Sequence, residues 1–489
     1  MHEVLARWRE AYEGDHPAAC AAAALTLEDP WQVVEQAGAL ARATVTVVEE
    51  RTGVGARLQR LKPESRATIA VFEAGEACPL ADPAARKRRG AWDTSRALAR
   101  RLPIGRDVLD PACGTGAFLL AASEGGARRI RGWDTDPAAV AVARVAVPGA
   151  QVECCDAFDR DERAEVVLCN PPFVASEHHD KAARQRLRER FDWLSGRFDL
   201  AVPFLAHAVG LARKRAALVL PSSLGVQPYA APLRREWLAA HRIVDLDGRV
   251  PFEGAGVEVL VTTLEIGGGP AALPSGMHAR ELLRLANAPL DAALEPGDVE
   301  LAERMRRHPE LETLCEVDTG VVAHGPAGGK ERLLSDERAE GRVPYVDAKD
   351  LIDGRVRWLD YRPAEMHRAK RPALFERPKI LVQRLKGPHP VRAVVDRRGL
   401  YAGHTLSVVR PLQPMDLDRL LTLLKSPLIE GLLRIEKGPR LDLYPKDLRH
   451  LPVPLAFLDG SCAELAEAYG LTPADRARLQ GLASLRHRL

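Results

Sequence analysis

The sequence predicts an α/β protein in which a doubly wound parallel sheet precedes a smaller mixed α+β domain, with a helical segment ahead of both. Three observations carry the prediction. Between residues 104 and 266, short apolar runs alternate with helical stretches, the pattern of parallel strands joined by crossover helices. The run GGGPAALPSG at 267–276 then interrupts the alternation as an interdomain linker does. Beyond it, Gly/Pro turns separate scattered strand candidates in a basic stretch. A length of 489 residues agrees, since roughly 150 residues per domain allow about three domains.

Taken in order, residues 1–85 read as helical, because Val4, Leu5, Trp8 and Tyr12 recur at helical spacing and Val33, Val34, Ala37, Leu40 and Ala41 do so again. Residues 86–269 form the sheet domain, with strands expected at 107–110, 129–134, 151–155, 165–169, 216–220, 243–246 and 257–266. Residues 270–310 are linker and helix. The second domain occupies 311–460, with strand candidates at 380–383, 391–395 and 406–409 and helical spacing from Leu417 to Leu433. A helical tail covers 461–489.

Composition excludes several classes. At 46% hydrophobic and 28% charged residues the chain can bury cores and is not a disordered polymer. Its longest apolar stretch, Ala18 to Leu27, falls short of the roughly 18 residues a bilayer span needs, and the N-terminus lacks the layout of a signal peptide. A cytoplasmic protein without membrane contact is expected. Eight cysteines without a CxxC pair argue against a disulfide framework or a zinc ribbon. Adjacent His178 and His179 with Asp180 diverge on a helix or a strand, so no metal site is expected. The net charge of +3 is uneven: between Arg342 and Arg410 sixteen Lys/Arg stand against seven Asp/Glu. Such a cluster suits a polyanion-binding surface, and equally a solvated face.

The chemistry concentrates at strand ends. Asp110, Pro111, Ala112, Cys113, Gly114, Thr115 and Gly116 form a glycine turn between a strand and a helix, where doubly wound sheets bind nucleotide-like ligands. No Gly-Lys-Ser/Thr follows and the third glycine of the dinucleotide fingerprint is absent, which disfavours a phosphate ligand. Asp134 closes the second strand, where a carboxylate accepts from ribose hydroxyls. Asp156 closes the third, suited to an exocyclic adenine amine with Phe158 packing on the ring. Singly, each acid is an ordinary turn or cap residue; three in register form a constellation. The fourth strand ends in Asn170, Pro171, Pro172 and Phe173. Two prolines remove two N–H donors, so the Asn oxygen and a neighbouring carbonyl become acceptors for a planar amine beside an aromatic face.

With these motifs the chain resembles the gamma-arranged, Taq-type adenine-N6 DNA methyltransferases, over about residues 86–266 and more loosely 311–455. The resemblance implies a Rossmann-like S-adenosylmethionine-dependent domain and a C-terminal target-recognition domain. It implies that 110–116 hold the methionine part of S-adenosylmethionine, Asp134 its ribose, and Asp156 with Phe158 its adenine. Thr94 keeps the place of the threonine in an upstream motif whose proline is absent here. Asp199-Leu200 and 217–224 look like the fifth and sixth motifs, and Phe252 like the phenylalanine that stacks on the far face of an extruded base. In the basic domain, Arg384, Lys386, Arg392, Arg397 and Arg398 are candidates for DNA contact.

The implied activity is site-specific transfer of a methyl group to the N6 amine of adenine in double-stranded DNA, with base flipping and with a separate restriction or defence subunit as a candidate partner. No Pro-Cys dipeptide is present to serve as a cytosine-C5 nucleophile, and residues 1–85 lack the acid-x-Lys pairing of a magnesium nuclease, so methylation without cutting is expected. The alternatives are an RNA methyltransferase acting on guanine N2 or adenine N6, a protein glutamine-N5 methyltransferase, and a non-catalytic DNA-binding partner.

Overall fold

The computed structural model describes residue 94 and residues 96–486, apart from 137–138, 141–142, 145–146, 148, 175–180, 253–256, 325–328, 385–389 and 440–441. The expected helical segment at 1–85, Lys386, and the His178, His179 and Asp180 run lie outside the described residues. The chain forms two compact units, the first ending at Ala292 and the second beginning at Ala293.

Seven strands make the sheet of the first unit: β1 (Asp107–Asp110), β2 (Arg129–Asp134), β3 (Gln151–Cys154), β4 (Ala164–Cys169), β5 (Ala212–Pro221), β6 (Arg242–Phe252) and β7 (Val257–Glu265). Their order is β3-β2-β1-β4-β5-β7-β6. β1 pairs in parallel with β2 and β4, and the parallel ladder continues to β3 on one side and β5 on the other. β7 departs from the expected all-parallel pattern by running antiparallel to both β5 and β6. Only residues 253–256 separate β6 from β7, and a parallel return needs a crossover of a dozen or more residues.

The order reverses between β1 and β4, which makes the crevice beyond their carboxyl ends the topological switch point of the sheet. α1 (Ala117–Glu124) starts there, directly after Gly116, whose φ of 95° suits glycine. Buried Val108, Leu119, Val166, Leu168, Val219 and Val261 join helix and strands in one core. The residues read as linker are partly built into this unit. The helix Ala279–Arg284 packs on the helix Ala231–Ala240, and the buried Arg234 guanidinium donates to the carbonyls of Leu224, Gln227, Asn287 and Ala288. The division between units therefore falls inside the 270–310 segment.

The second unit is mixed α+β. One sheet has the order β14-β10-β11-β9, from β9 (Leu334–Ser335), β10 (Val343–Val346), β11 (Arg357–Leu359) and β14 (Tyr401–Ala402). The other has the order β13-β12-β15-β8, from β8 (Cys315–Thr319), β12 (Lys379–Gln383), β13 (Ala393–Asp396) and β15 (Leu406–Pro411). Lys379 and Asp396 face each other in register and form a completely buried ion pair.

Candidate active site

The carboxyl ends of β1, β2, β3 and β4 share one edge of the sheet, so the acids read from the sequence arrive together. Asp110 is buried, and its Oδ1 accepts from the Ala112 amide at 3.0 Å. Burial holds its carboxyl well above the ordinary range, against the pull of that amide and with a further push from the Asp134 charge. The turn is then tied to β2. Cys113 N donates to Trp133 O at 2.9 Å, and Gly114 N donates to Asp134 Oδ2 at 2.8 Å. The other Asp134 oxygen accepts from Asp136 N at 2.9 Å. Burial raises the Asp134 carboxyl, and the amides of Asp136 and Gly114 oppose it. A Cβ on Gly114 would meet no atom within 4 Å, so the turn borders open space.

Asp156 is exposed at the end of β3, where its Oδ1 accepts from Phe158 N at 2.9 Å. The Phe158 ring is half-buried and engaged by protein: Phe204 and Phe191 meet it edge-on at 5.6 and 6.2 Å, His207 lies at 5.5 Å, and the Arg190 guanidinium sits 5.6 Å from its centroid. Arg190 also donates to Phe158 O and lies 3.1 Å from His207 Nδ1, while His207 Nε2 is 2.7 Å from Ala157 O. Burial pushes the His207 imidazole below its ordinary pKa. Arg190 and His207 carried no motif in the sequence. Arg190 ends the strongly basic α2 (Lys181–Arg190), which reads as a solvated helix.

At the end of β4, Asn170 Nδ2 donates to Thr94 Oγ1 at 3.1 Å, across 76 residues of sequence. The amide thereby presents its nitrogen to Thr94 and its oxygen to the other side. Pro171 is buried, and Pro172 and Phe173 are half-buried. The loop's exit is fixed by the turn before α3 (Ala201–Gly210): Leu200 N donates to Val174 O at 3.0 Å, and the Asp199 carboxylate accepts from Ala201 N at 2.9 Å and from the Val174 amide. Burial pushes the Asp199 carboxyl up to about 6. Phe252 is the last residue of β6 and pairs with Val257. It ends on the same edge of the sheet as Asn170, with β5 and β7 between.

Among the described residues, the expected DNA-contact arginines are not brought together as one group. Gln383 N donates to Arg392 O, which places Arg384 and Arg392 at one end of the β12–β13 hairpin; Arg397 and Arg398 follow Asp396 at the other. At about 3.4 Å per residue the two ends are more than 10 Å apart. Folding also spends much of the basic excess. Among the described residues, eight of the cations between Arg342 and Arg410 are in ion pairs: Arg355, Arg357, Arg362, Lys370, Arg371, Lys379, Arg397 and Arg410. Arg397 meets Asp418 at 2.9 Å.

Residues 89–192, which contain the glycine turn and Asn170, match the family described as "Methyltransferase small domain". No curated protein sequence matches the chain. Among solved structures, the type IIL restriction-modification enzyme MmeI in complex with DNA is similar with a TM-score of 0.50 at 13% identity, over 80% of this chain and 70% of that one. The type IIG restriction endonuclease BpuSI has a TM-score of 0.38 at 12% identity, over 91% and 69%. Magnesium protoporphyrin IX methyltransferase from Synechocystis PCC 6803 has a TM-score of 0.24 at 16% identity, over 33% and 70%. At these identities the likeness is one of fold. S-adenosylmethionine is the methyl donor such a domain holds, and the described residues fit it: an open glycine turn is tied to the Asp134 carboxylate at the end of β2, and Asp156 follows the adjacent β3 on the same edge of the sheet. No helix among the described residues is long and apolar enough to cross a membrane.

Proposed function

We propose that the chain transfers the methyl group of S-adenosylmethionine to the N6 amine of an adenine flipped out of double-stranded DNA at a specific site. The observation that carries this reading is the Asn170–Thr94 hydrogen bond, which orients the amide of an Asn-Pro-Pro-Phe loop beside the glycine turn, at the switch point of the sheet. The similarity in fold to a restriction-modification enzyme bound to DNA supports the choice of substrate.

S-adenosylmethionine supplies an activated methyl group on a sulfonium, so the chain's residues need only orient the acceptor and stabilise charge. Asp134 accepts from the ribose hydroxyls and Asp156 from the adenine amine of the cofactor. Thr94 accepts from Asn170 and keeps its own O–H to donate to the methionine carboxylate. The Asn170 oxygen and a neighbouring carbonyl accept hydrogen bonds from the two N–H groups of the target amine, which turns its lone pair out of conjugation toward the methyl group; one N–H proton leaves to solvent once the methyl is on, and Phe173 stacks on the base. Phe252 covers the opposite face. Asp110 and Asp199 stand behind the two loops as positioning groups.

The testing assay offers tritiated S-adenosylmethionine with duplex DNA, structured RNA and protein acceptors in parallel, with magnesium present so that cutting is read in the same samples. Label in adenine N6 of duplex DNA is expected. Label in RNA or protein but never in DNA overturns the assignment. Asn170→Ala should reduce transfer at least about a hundredfold while cofactor affinity stays within a few-fold, because the lost interaction belongs to the acceptor. Calorimetry and single-turnover rates check the two halves.

A further inference from the structure

Three histidines from three separate segments of the second unit meet at one surface. Gly320 is what lets them meet: a Cβ there would lie 2.2 Å from the carbonyl oxygens of Ala402 and Gly403, so the segment after β8 runs directly against β14. Val321 bridges to Gly403, Val322 bridges to Arg368 on its other side, and His367 N donates to His324 O at 3.0 Å. The rings of His324 and His367 stack at 6.3 Å with 12° between their planes, and His404 stands edge-on to His324 at 6.0 Å. His324 and His367 are exposed and His404 is half-exposed.

The free end of β12 arrives at the same place. Arg384 N donates to Thr405 O at 3.0 Å, its guanidinium donates to His404 O, and the group lies 4.7 Å over the ring of Tyr444. Neither Arg384 nor Arg368 is in an ion pair among the described residues, in contrast to Arg397 at the far end of the hairpin. Two cations without a carboxylate, one of them held in place on an aromatic face, and a set of imidazole donors form a surface complementary to phosphates.

We propose that this surface, formed by His324, His367, His404, Arg368 and Arg384 on Tyr444, grips the sugar–phosphate backbone of duplex DNA. The arginines neutralise phosphates and the imidazoles donate hydrogen bonds to phosphate or base-edge acceptors. The inference rests on the reading of DNA as the substrate and adds which end of the second unit touches it.

The test measures anisotropy of a fluorescein-labelled random duplex of about 40 base pairs with the full-length chain, across roughly 50 to 200 mM KCl. Arg368→Ala with Arg384→Ala should weaken binding at least about tenfold and reduce the log–log salt slope by about two, one per lost phosphate contact. His324→Ala with His367→Ala, which removes both donors, should weaken it about tenfold; both side chains are exposed, so this variant keeps the test valid where loss of the Arg384–Tyr444 contact costs stability. Arg355→Ala, at an exposed ion pair with Asp336, should leave both quantities unchanged. Wild-type chain that binds no duplex DNA, or binds duplex RNA more tightly, overturns the DNA reading itself. Wild-type binding matched by both variants, with an unaltered slope, overturns only this surface.

Discussion

Arg190 links the helix that follows the Asn-Pro-Pro-Phe loop to the Asp156–Phe158 turn, and it does so through a histidine of defined tautomer. Because His207 Nε2 faces the Ala157 carbonyl, it carries the proton, and Nδ1 accepts from Arg190. A protonated imidazole would turn that acceptor into a second donor facing a cation. The His207 pKa is lowered by burial, so this contribution is full above the ordinary 6.5 and is lost as pH falls below it toward the lowered value. S-adenosylmethionine affinity should therefore drop several-fold between about pH 7.5 and 5.5, and His207→Phe should be weak at both and insensitive to pH. Calorimetric titrations at the two pH values decide; an equal pH ratio in wild type and variant removes His207 from this role. Asp199 has the opposite sign. Its pKa is raised to about 6 by burial, so its stabilising contribution is greatest in acid and declines as pH rises through 6. Asp199→Ala should destabilise the fold more at pH 5 than at pH 7.5, by up to about 1.4 kcal/mol for the one pH unit crossed. Melting curves of both proteins at the two values test it, and a variant whose deficit grows with pH contradicts the burial argument.

At the scale of elements, the β12–β13 hairpin shows how a charged pair can sit inside a sheet. Lys379 Nζ donates to Asp396 Oδ2 and to Phe375 O, while the two Asp396 oxygens accept from the amides of Arg398 and Leu400. Every polar group of the pair is used, which offsets desolvation and sets the turn into β14. Lys379→Met leaves the aspartate buried without its cation and should cost about 3 kcal/mol or more, whereas Arg397→Ala, at an exposed pair, should cost far less. Urea unfolding measures both; similar midpoints for the two variants would mean that the pair is solvated.

For the whole molecule, residues 270–292 belong to the sheet unit through the Arg234 contacts. A fragment ending at Ala292 should fold and bind S-adenosylmethionine. One ending at Gly269 removes the Asn287 and Ala288 acceptors of a buried guanidinium, at a cost of about 3 kcal/mol, which corresponds to a melting temperature lower by roughly 10 °C. Thermal melts of the two fragments discriminate, and equal stability would return 270–292 to the status of linker. Sequence-specific DNA affinity should be absent from either fragment.

All seven strand positions of the first unit were legible because each is a run of apolar residues ended by Asp, Asn or a turn, a local pattern that needs no knowledge of neighbours. The residue classes at the strand ends were legible for the same reason, with Asp110 and Asp134 closing their strands and Asp156 and Asn170 following theirs within two residues. Direction and pairing were not. That β7 runs antiparallel between β5 and β6 depends on a short connection and on which edge was open, and periodicity carries no sign of either. Nor did the charge pattern say where a polyanion would bind, since a lysine or arginine counts equally in a sequence whether solvent or a carboxylate from a distant segment faces it. Lys370 meets Asp318, and Arg371 and Arg410 meet Glu316, over separations of 52, 55 and 94 residues. The strands and their terminal acids were local facts, settled by chain order. Which cations remain available, and that Thr94 meets Asn170, are facts of tertiary contact, because Coulomb attraction and hydrogen bonding act over a few ångströms of space whatever the distance along the chain.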